Sequence, residues 1–387
     1  LREANRGVAP AWTSSLGGQQ VLFGDGAIDR LGELIRPAGA RRVLIVSDRG
    51  VRDAGHVERA RAALAAAGLA TVVYDGVESN PTTRHVAEGL EVAQAGNVDG
   101  LVGLGGGSPM DCAKGVNFLL TNGGRMEDYR GTGKAAKEML PSFGVPTTAG
   151  TGSEAQSYAL ISQEGTRVKM ACGDRKAMFR AVVLDPALLA TVPRGVAGVA
   201  GIDAVSHAVE SWVSTRRNPV SQMLSREAWR RLAAALPLVM GRDADPGARG
   251  SMLLGAYLAG AAIEQSMLGA AHACANPLTA RFPAIPHGVA VGLLLPHVVR
   301  FNSARVGALY DVLARDADPA GPPAPLEDRI RELRSAAGCP GSLRECAVPR
   351  GRLPEMAADA ESQWTARFNP RPVSRQDLLA LYEAAYE

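Results

Sequence analysis

Asp203 and His207 stand four residues apart in the run Gly201-Ile202-Asp203-Ala204-Val205-Ser206-His207-Ala208. On a helix such positions share a face, so a carboxylate and an imidazole here could point at one ion, flanked by the apolar Ile202, Val205 and Val209. Of the six histidines, four fall in the second half of the chain: His207, His272, His287 and His297. His272 reads as the end of a long small-residue helix, and His287, between Pro286 and Gly288, as the start of the next. Three imidazoles and one carboxylate suit Fe(II) or Zn(II), which both accept nitrogen and oxygen donors and need no thiolate. The competing reading is a set of hydrogen-bonded core residues, since Asp-x-x-x-His also arises by chance. His297, in Leu295-Pro296-His297-Val298, reads as a core or wall histidine, and Cys274 as a packed thiol. His56 and His85 sit in charged helical contexts and read as surface residues.

A second feature is Gly103-Leu104-Gly105-Gly106-Gly107-Ser108-Pro109, which follows an apolar strand and precedes the helical pattern Met110–Leu120. Consecutive glycines let a phosphate approach the backbone, and a helix start offers free N–H groups, so this is a candidate pyrophosphate cradle. It is not the G-x-G-x-x-G fingerprint, and a tight strand-to-helix turn is the plainer alternative. Pro146–Glu154 is rich in small and hydroxyl residues, able to bond ribose or phosphate oxygens or simply to form a flexible loop. Asp48 closes Val43-Leu44-Ile45-Val46-Ser47-Asp48, where an acid could accept hydrogen bonds from a ribose and repel a 2′-phosphate. Strand-end aspartates are also common in turns.

The elements that position these residues divide the chain in two. From residue 20 to about 190, β-branched runs alternate with helical patterns, as in a sheet of βαβ units. Strands are expected at Val43–Val46, Thr71–Tyr74, Gly100–Leu104, Ser142–Pro146, Tyr158–Ile161, Val168–Ala171 and Ala181–Leu184, with helices near Val57–Ala67 and Arg84–Ala95. Beyond Pro193 the period becomes helical, predicting helices near 196–214, 219–240, 250–271, 288–302, 325–337 and 374–385. Stops at Asn218-Pro219, Asp245-Pro246, Pro283, Pro286 and the Asp318–Pro325 stretch agree. The expected fold is a Rossmann-like α/β dinucleotide-binding domain over 1–192 and an all-α metal and substrate domain over 193–387.

Composition narrows the class further. A chain of 387 residues with 46% hydrophobic and 21% charged residues has ample material for two cores. A net charge of +3 is too small to imply a nucleic-acid partner. Five cysteines with no C-x-x-C pair indicate neither a disulfide framework nor a thiolate zinc site, which favours a reducing, cytoplasmic home. No membrane span is visible, and residues 1–20 contain Arg2, Glu3 and Arg6 without an apolar stretch of the signal-peptide kind.

Taken in order, these segments resemble the iron-containing (group III) alcohol dehydrogenase family, which shares its architecture with dehydroquinate synthase. The likeness runs from Val21-Leu22-Phe23-Gly24 through Asn80-Pro81-Thr82, Gly105-Gly106-Gly107-Ser108-Pro109-x-Asp111-x-x-Lys114 and Pro146–Glu154. It continues through Gly201-Ile202-Asp203-x-x-x-His207-Ala208 and Pro286-His287-Gly288 to Asn369-Pro370-Arg371. The resemblance implies an active site in a cleft between the domains, with Asp203, His207, His272 and His287 as metal ligands. It places Asp48, Asn80, Gly106, Gly107, Ser108, Asp111, Thr147, Thr148, Thr151, Ser153 and Lys169 on cofactor-contacting segments, with NAD favoured over NADP. Two departures stand out. Asn276 occupies the position where many members carry a proton-relay histidine, and the segment from His272 to His287 is one residue longer than expected, within Arg281–Pro286. Gln156 and Ser157 are also more polar than in members acting on aliphatic alcohols.

The implied reaction is hydride transfer between a primary alcohol or its aldehyde and NAD(H), the substrate oxygen polarised by Fe(II) or, alternatively, Zn(II). Partners would be the small alcohol or aldehyde and further copies of the chain, as a homodimer or larger homo-oligomer, with no nucleic acid and no membrane. The alternatives are a lyase of the dehydroquinate synthase type, a relative of the glycerol dehydrogenase type, and a metal-containing NAD-binding sensor without turnover.

Overall fold

The computed structural model describes residues 11–165, 168–241, 245–318 and 324–387. The charged residues 1–10 and most of the Asp318–Pro325 stretch lie outside them. The chain forms two compact units: one runs to Thr148 and resumes over Ser153–Val192, and the other comprises Ala149–Gly152 and Pro193–Glu387. The four-residue excursion at 149–152 departs from a single boundary near residue 192.

In the first unit ten strands are described: β1 (Trp12–Leu16), β2 (Gln19–Phe23), β3 (Arg42–Val46), β4 (Ala70–Tyr74), β5 (Gly100–Gly105), β6 (Gly131–Thr132), β7 (Ser142–Pro146), β8 (Tyr158–Ser162), β9 (Lys169–Gly173) and β10 (Ala181–Leu184). Its helices are α1 (Leu31–Ile35), α2 (Arg49–Asp53), α3 (His56–Ala66), α4 (Thr83–Ala95) and α5 (Gly107–Asn122). The main sheet has the order β1-β2-β10-β7-β5-β3-β4, parallel except for the β1–β2 hairpin, while β6, β9 and β8 form a small second sheet. Strand alternation sorts β3 between two cores. Val43 and Ile45 pack with Leu31 and Leu64 on one face, and Leu44 and Val46 with Val86 and Val116 on the other.

The β1–β2 hairpin is an element the apolar pattern does not announce, because Trp12–Leu16 is largely exposed. What makes it is Gly17-Gly18, at φ 60° and 90°, the pair of left-handed residues that a two-residue hairpin turn demands.

The second unit is helical, with α6 (Arg194–Val213), α7 (Pro219–Val239), α8 (Pro246–Gln265), α9 (Ala270–Arg281), α10 (His287–Ala317), α11 (Leu326–Ala336), α12 (Leu353–Glu361) and α13 (Arg375–Ala384). Proline at the first turn and an Asn or Asp cap start α7 and α8: Asn218 Oδ1 accepts from Val220 and Ser221 N, and Asp245 Oδ1 from Gly247 N. The expected helix over 250–271 is two helices. It stops at Gln265, Ser266 turns back on the Ala262 carbonyl, and Met267 adopts φ 108° before α9 begins. The helix expected over 288–302 runs on to Ala317, with a kink at Val306, and α12 was not foreseen. None of the described helices is long and apolar enough to cross a membrane.

Candidate metal centre and nucleotide site

Three helices of the second unit bring four side chains together. Asp203 and His207 lie one turn apart on α6, His272 in the first turn of α9 rather than at a helix end, and His287 opens α10. The Nε2 atoms of His207, His272 and His287 lie 3.7, 3.9 and 3.9 Å from Asp203 Oδ1. These separations are too long for hydrogen bonds, yet near the roughly 3.4 Å between two donors each about 2.1 Å from a shared ion in tetrahedral array. Asp203, His207 and His272 are buried, and the rings of His207 and His272 stack at 5.0 Å. His272 Nδ1 donates to Glu210 Oε2 at 2.5 Å, which leaves Nε2 as the lone-pair nitrogen, and this buried atom has no hydrogen-bond partner among the described residues. Burial also lowers the pKa of His207, favouring the neutral, ligating form. An acceptor nitrogen buried among other acceptors is costly unless a cation completes it, so the residues fit a divalent metal.

In the turn after α9, before His287, Ile285 N donates to the Phe282 carbonyl at 2.9 Å. Asn276, one turn beyond His272, donates to Gln363 Oε1 at 3.3 Å. Cys274 is fully buried. His297 is half-buried, and burial together with Arg331, Arg300 and Arg334 lowers its pKa to about 4.

Two other histidines require correction. His56 and His85 are buried rather than on the surface. His56 Nε2 pairs with Thr191 Oγ1 at 2.7 Å, and His85 Nδ1 accepts from Thr82 N at 3.0 Å, capping α4. His85 keeps a charged neighbour, with Arg84 Nη2 3.1 Å from its Nε2, while its ring is buried.

In the first unit the nucleotide candidates gather at the carboxyl ends of adjacent parallel strands. The chain steps from β3 to β4 on one side and then to β5 on the other, so the strand order reverses between β3 and β5, where α/β sheets bind ligands. Asp48 follows β3, caps α2 by accepting from Val51 N at 2.9 Å, and places Oδ2 3.3 Å from where a side chain on Gly105 would begin. Gly105 itself has φ 146° and Gly106 caps the 16-residue α5, so the first N–H groups of that helix face the loop. Asn80, exposed at φ 57°, donates its backbone N–H to Ser108 Oγ at 3.3 Å. Thr147 N donates to the Gly105 carbonyl at 2.9 Å, and Thr148 Oγ1 stands over Gly106.

Not every candidate is presented in this way. Asp111 and Ser153 are buried and bonded to each other at 2.5 Å, so they shape the loop from beneath rather than offer themselves to a ligand. Thr151 is exposed and belongs with the second unit, where Gly152 packs on Gly260. Lys169 is exposed on β9, and its charge reaches Asp111.

Beneath the loop lies an arrangement that the sequence does not assign. Lys114 is fully buried and donates to the carbonyls of Ser153, Gln156 and Tyr158 at 2.7, 2.8 and 2.9 Å. This ammonium ties down the segment that composition reads as flexible. Glu154, buried beside it, has its pKa raised to about 7 by burial, which outweighs the attraction of Lys114. Because the folded state holds this proton more tightly than the unfolded chain, the contribution of Glu154 to stability is most favourable below pH 4.5 and declines as pH rises to about 7. Glu154→Gln should therefore raise stability at pH 8 by on the order of 3 kcal/mol and change little at pH 5. Urea unfolding at the two pH values checks this, and an equal effect at both would contradict it.

The family models "Iron-containing alcohol dehydrogenase" and "Fe-containing alcohol dehydrogenase family, C-terminal" match residues 18–186 and 198–386. Alcohol dehydrogenase 4 of Schizosaccharomyces pombe is 38% identical over 370 residues, covering 94% of this chain and 87% of that protein. Lactaldehyde reductase of Escherichia coli is 33% identical, covering 94% and 97%. A solved structure of 1,3-propanediol oxidoreductase is 30% identical, with TM-score 0.90 and coverage of 98% of this chain and 100% of that one. The α/β unit, the helical unit with its His/Asp cluster and these matches together place the chain among metal-dependent dehydrogenases. The chain belongs to the iron-containing alcohol dehydrogenase family, and its activity is NAD- and metal-dependent oxidoreduction of alcohols and aldehydes.

Proposed function

We propose that this chain interconverts a short primary alcohol and its aldehyde, with Asp203, His207, His272 and His287 holding the metal and the β3–β5 loops holding NAD(H). The observation that carries the reading is the approach of three imidazole Nε2 atoms to one buried carboxylate oxygen. When bound, the metal supplies Lewis acidity toward the substrate oxygen while the nicotinamide exchanges hydride with the substrate carbon. The protein's part is positioning. Gly106, Gly107 and Ser108 offer backbone N–H groups to a pyrophosphate, and Thr148 and Asn80 border them. Asp48 accepts from ribose hydroxyls and repels a 2′-phosphate, favouring NAD over NADP. Thr147 holds the loop to β5, Lys114 with Asp111 and Ser153 fixes its far end, and Thr151 and Lys169 lie on its flanks. Asn276 cannot carry a proton as an imidazole does, so this position supplies no side-chain relay.

The test is NADH oxidation with a panel of short aldehydes, run anaerobically on chelator-stripped protein with Fe(II), Zn(II) or nothing added back. Turnover restored by metal is expected. A product formed without net change in nicotinamide absorbance would replace this reading with a lyase. The exposed strand β1, an edge of the main sheet among the described residues, supports self-association through its unpaired backbone groups. A light-scattering mass of one chain would contradict that part.

A further inference from the structure

Glu210 is a carboxylate outside the candidate ligand set that makes a close polar contact to it, 2.5 Å from His272 Nδ1. It lies on α6 one turn after His207 and two after Asp203, is buried, and uses both carboxyl oxygens on α9. Oε2 accepts from His272 Nδ1 at 2.5 Å and Oε1 accepts from the backbone N–H of Ala271 at 2.7 Å. The neighbouring N–H, of Ala270, donates to Asn369 Oδ1 at 3.2 Å. Asn369 is in turn locked to Asn302 on α10 by a reciprocal pair of amide bonds, at 3.0 and 2.8 Å, and donates to the Arg371 carbonyl. The start of α9 has no cap of its own. Gly269 supplies no side chain, and a Cβ there would lie 3.0 Å from both Glu210 Oε1 and Asn369 Oδ1.

We infer that Glu210 is a positioning residue for the metal centre: by gripping His272 and the start of its helix with one carboxyl group, it fixes the tautomer and pose that aim His272 Nε2 at the ion. This rests on the ligand assignment proposed above. The physical reason is that neutral imidazole carries one proton. An acceptor-only group at Nδ1 keeps it there and leaves Nε2 free to ligate, and the second oxygen sets the height of the ring by holding its own backbone. A negative group at a helix start is also favoured by the helix dipole. Asn369 and Asn302 brace the same helix start from α10, the helix that carries His287, so two of the ligands share one hydrogen-bonded frame. This gives the Asn369-Pro370-Arg371 segment a role, although it lies far from every ligand in sequence.

Glu210→Gln separates this role from simple capping. A glutamine amide has one oxygen. If the oxygen serves Ala271, the NH2 group meets His272 Nδ1 as a donor and drives the proton to Nε2, the wrong tautomer. The experiment is a Zn(II) titration of chelator-stripped protein against a chromophoric competitor, with apo-protein melting and NADH binding measured alongside. Glu210→Gln should weaken Zn(II) binding 10- to 100-fold while NADH binding and the apo melt stay near those of the parent. Zn(II) affinity within twofold of the parent would overturn the inference, as would a loss that tracks a collapsed apo melt. Should Glu210→Gln not fold, Glu210→Asp, one methylene too short to reach both groups, replaces it under the same criteria. His272→Ala in the same titration separates the two levels. If it binds Zn(II) like the parent, the ligand assignment fails; if it loses Zn(II) while Glu210→Gln retains it, only the positioning role fails.

Discussion

His272→Ala is expected to leave a folded protein that binds NADH but purifies with little metal and turns over about 10³-fold more slowly, a loss of about 4 kcal/mol of transition-state stabilisation. The reasoning is local. The buried Nε2 of His272 has no hydrogen-bond partner among the described residues, and the substitution removes one of the three imidazole nitrogens around Asp203 Oδ1. It also leaves Glu210 buried without the imidazole it accepts from, so some loss of stability accompanies the loss of metal. The nucleotide candidates Asp48, Asn80 and Gly105–Ser108 belong to the other unit, on different strands and loops, which is why NADH binding should survive. Elemental analysis, single-wavelength turnover and NADH fluorescence on one preparation decide the matter. Unchanged turnover with full metal content would remove His272 from the ligand set.

Gly288→Ala should be the most damaging single methyl group at the site. A Cβ on Gly288 would fall 2.1 Å from the Val199 carbonyl oxygen and 3.0 Å from its carbon, and both are backbone atoms that no rotamer change can move. Helix α10 would have to lift off α6 at the residue next to His287, separating that ligand from Asp203 and His207. Overpacking of this kind costs about 1–3 kcal/mol and often more where backbone is struck. The expected result is a melting temperature lower by several degrees and metal affinity reduced in the remaining folded fraction. A variant that melts and binds Zn(II) like the parent would show that the two helices do not meet as described. Gly195, on the same helix as Val199 with open space around its Cβ position, is the natural control.

Which parts of this site can be read in the sequence follows from how local their causes are. Asp203 and His207 need only helical spacing, and His287 needs only proline before and glycine after it; both signals lie within a few residues of the atoms concerned. The parallel strands from β3 to β5 are likewise visible, because a strand buried on both faces reads as a continuous apolar run, as in Val43–Val46. The separate helix of His272 is invisible for the opposite reason. Alanine, glycine and serine run through from α8 into α9 without a change in period, and the break rests on a left-handed Met267 held by tertiary packing. His56 was misplaced because its partner, Thr191, is 135 residues away. Glu210 stands in plain view three residues after His207, but its purpose depends on Ala271 and His272, more than 60 residues on.

The buried ammonium of Lys114 also bears on how the protein meets chemical reagents. The chain has five lysines, Lys114, Lys134, Lys137, Lys169 and Lys176, and every one precedes Pro193. With Lys114 walled in by three carbonyls, only the remaining four side-chain amines can be acylated, and all lie in the α/β unit. Coupling through side-chain amines to an activated support would therefore tether the molecule by that unit alone. The helices that carry Asp203, His207, His272 and His287 would remain chemically untouched, since their surface basicity is entirely arginine and histidine.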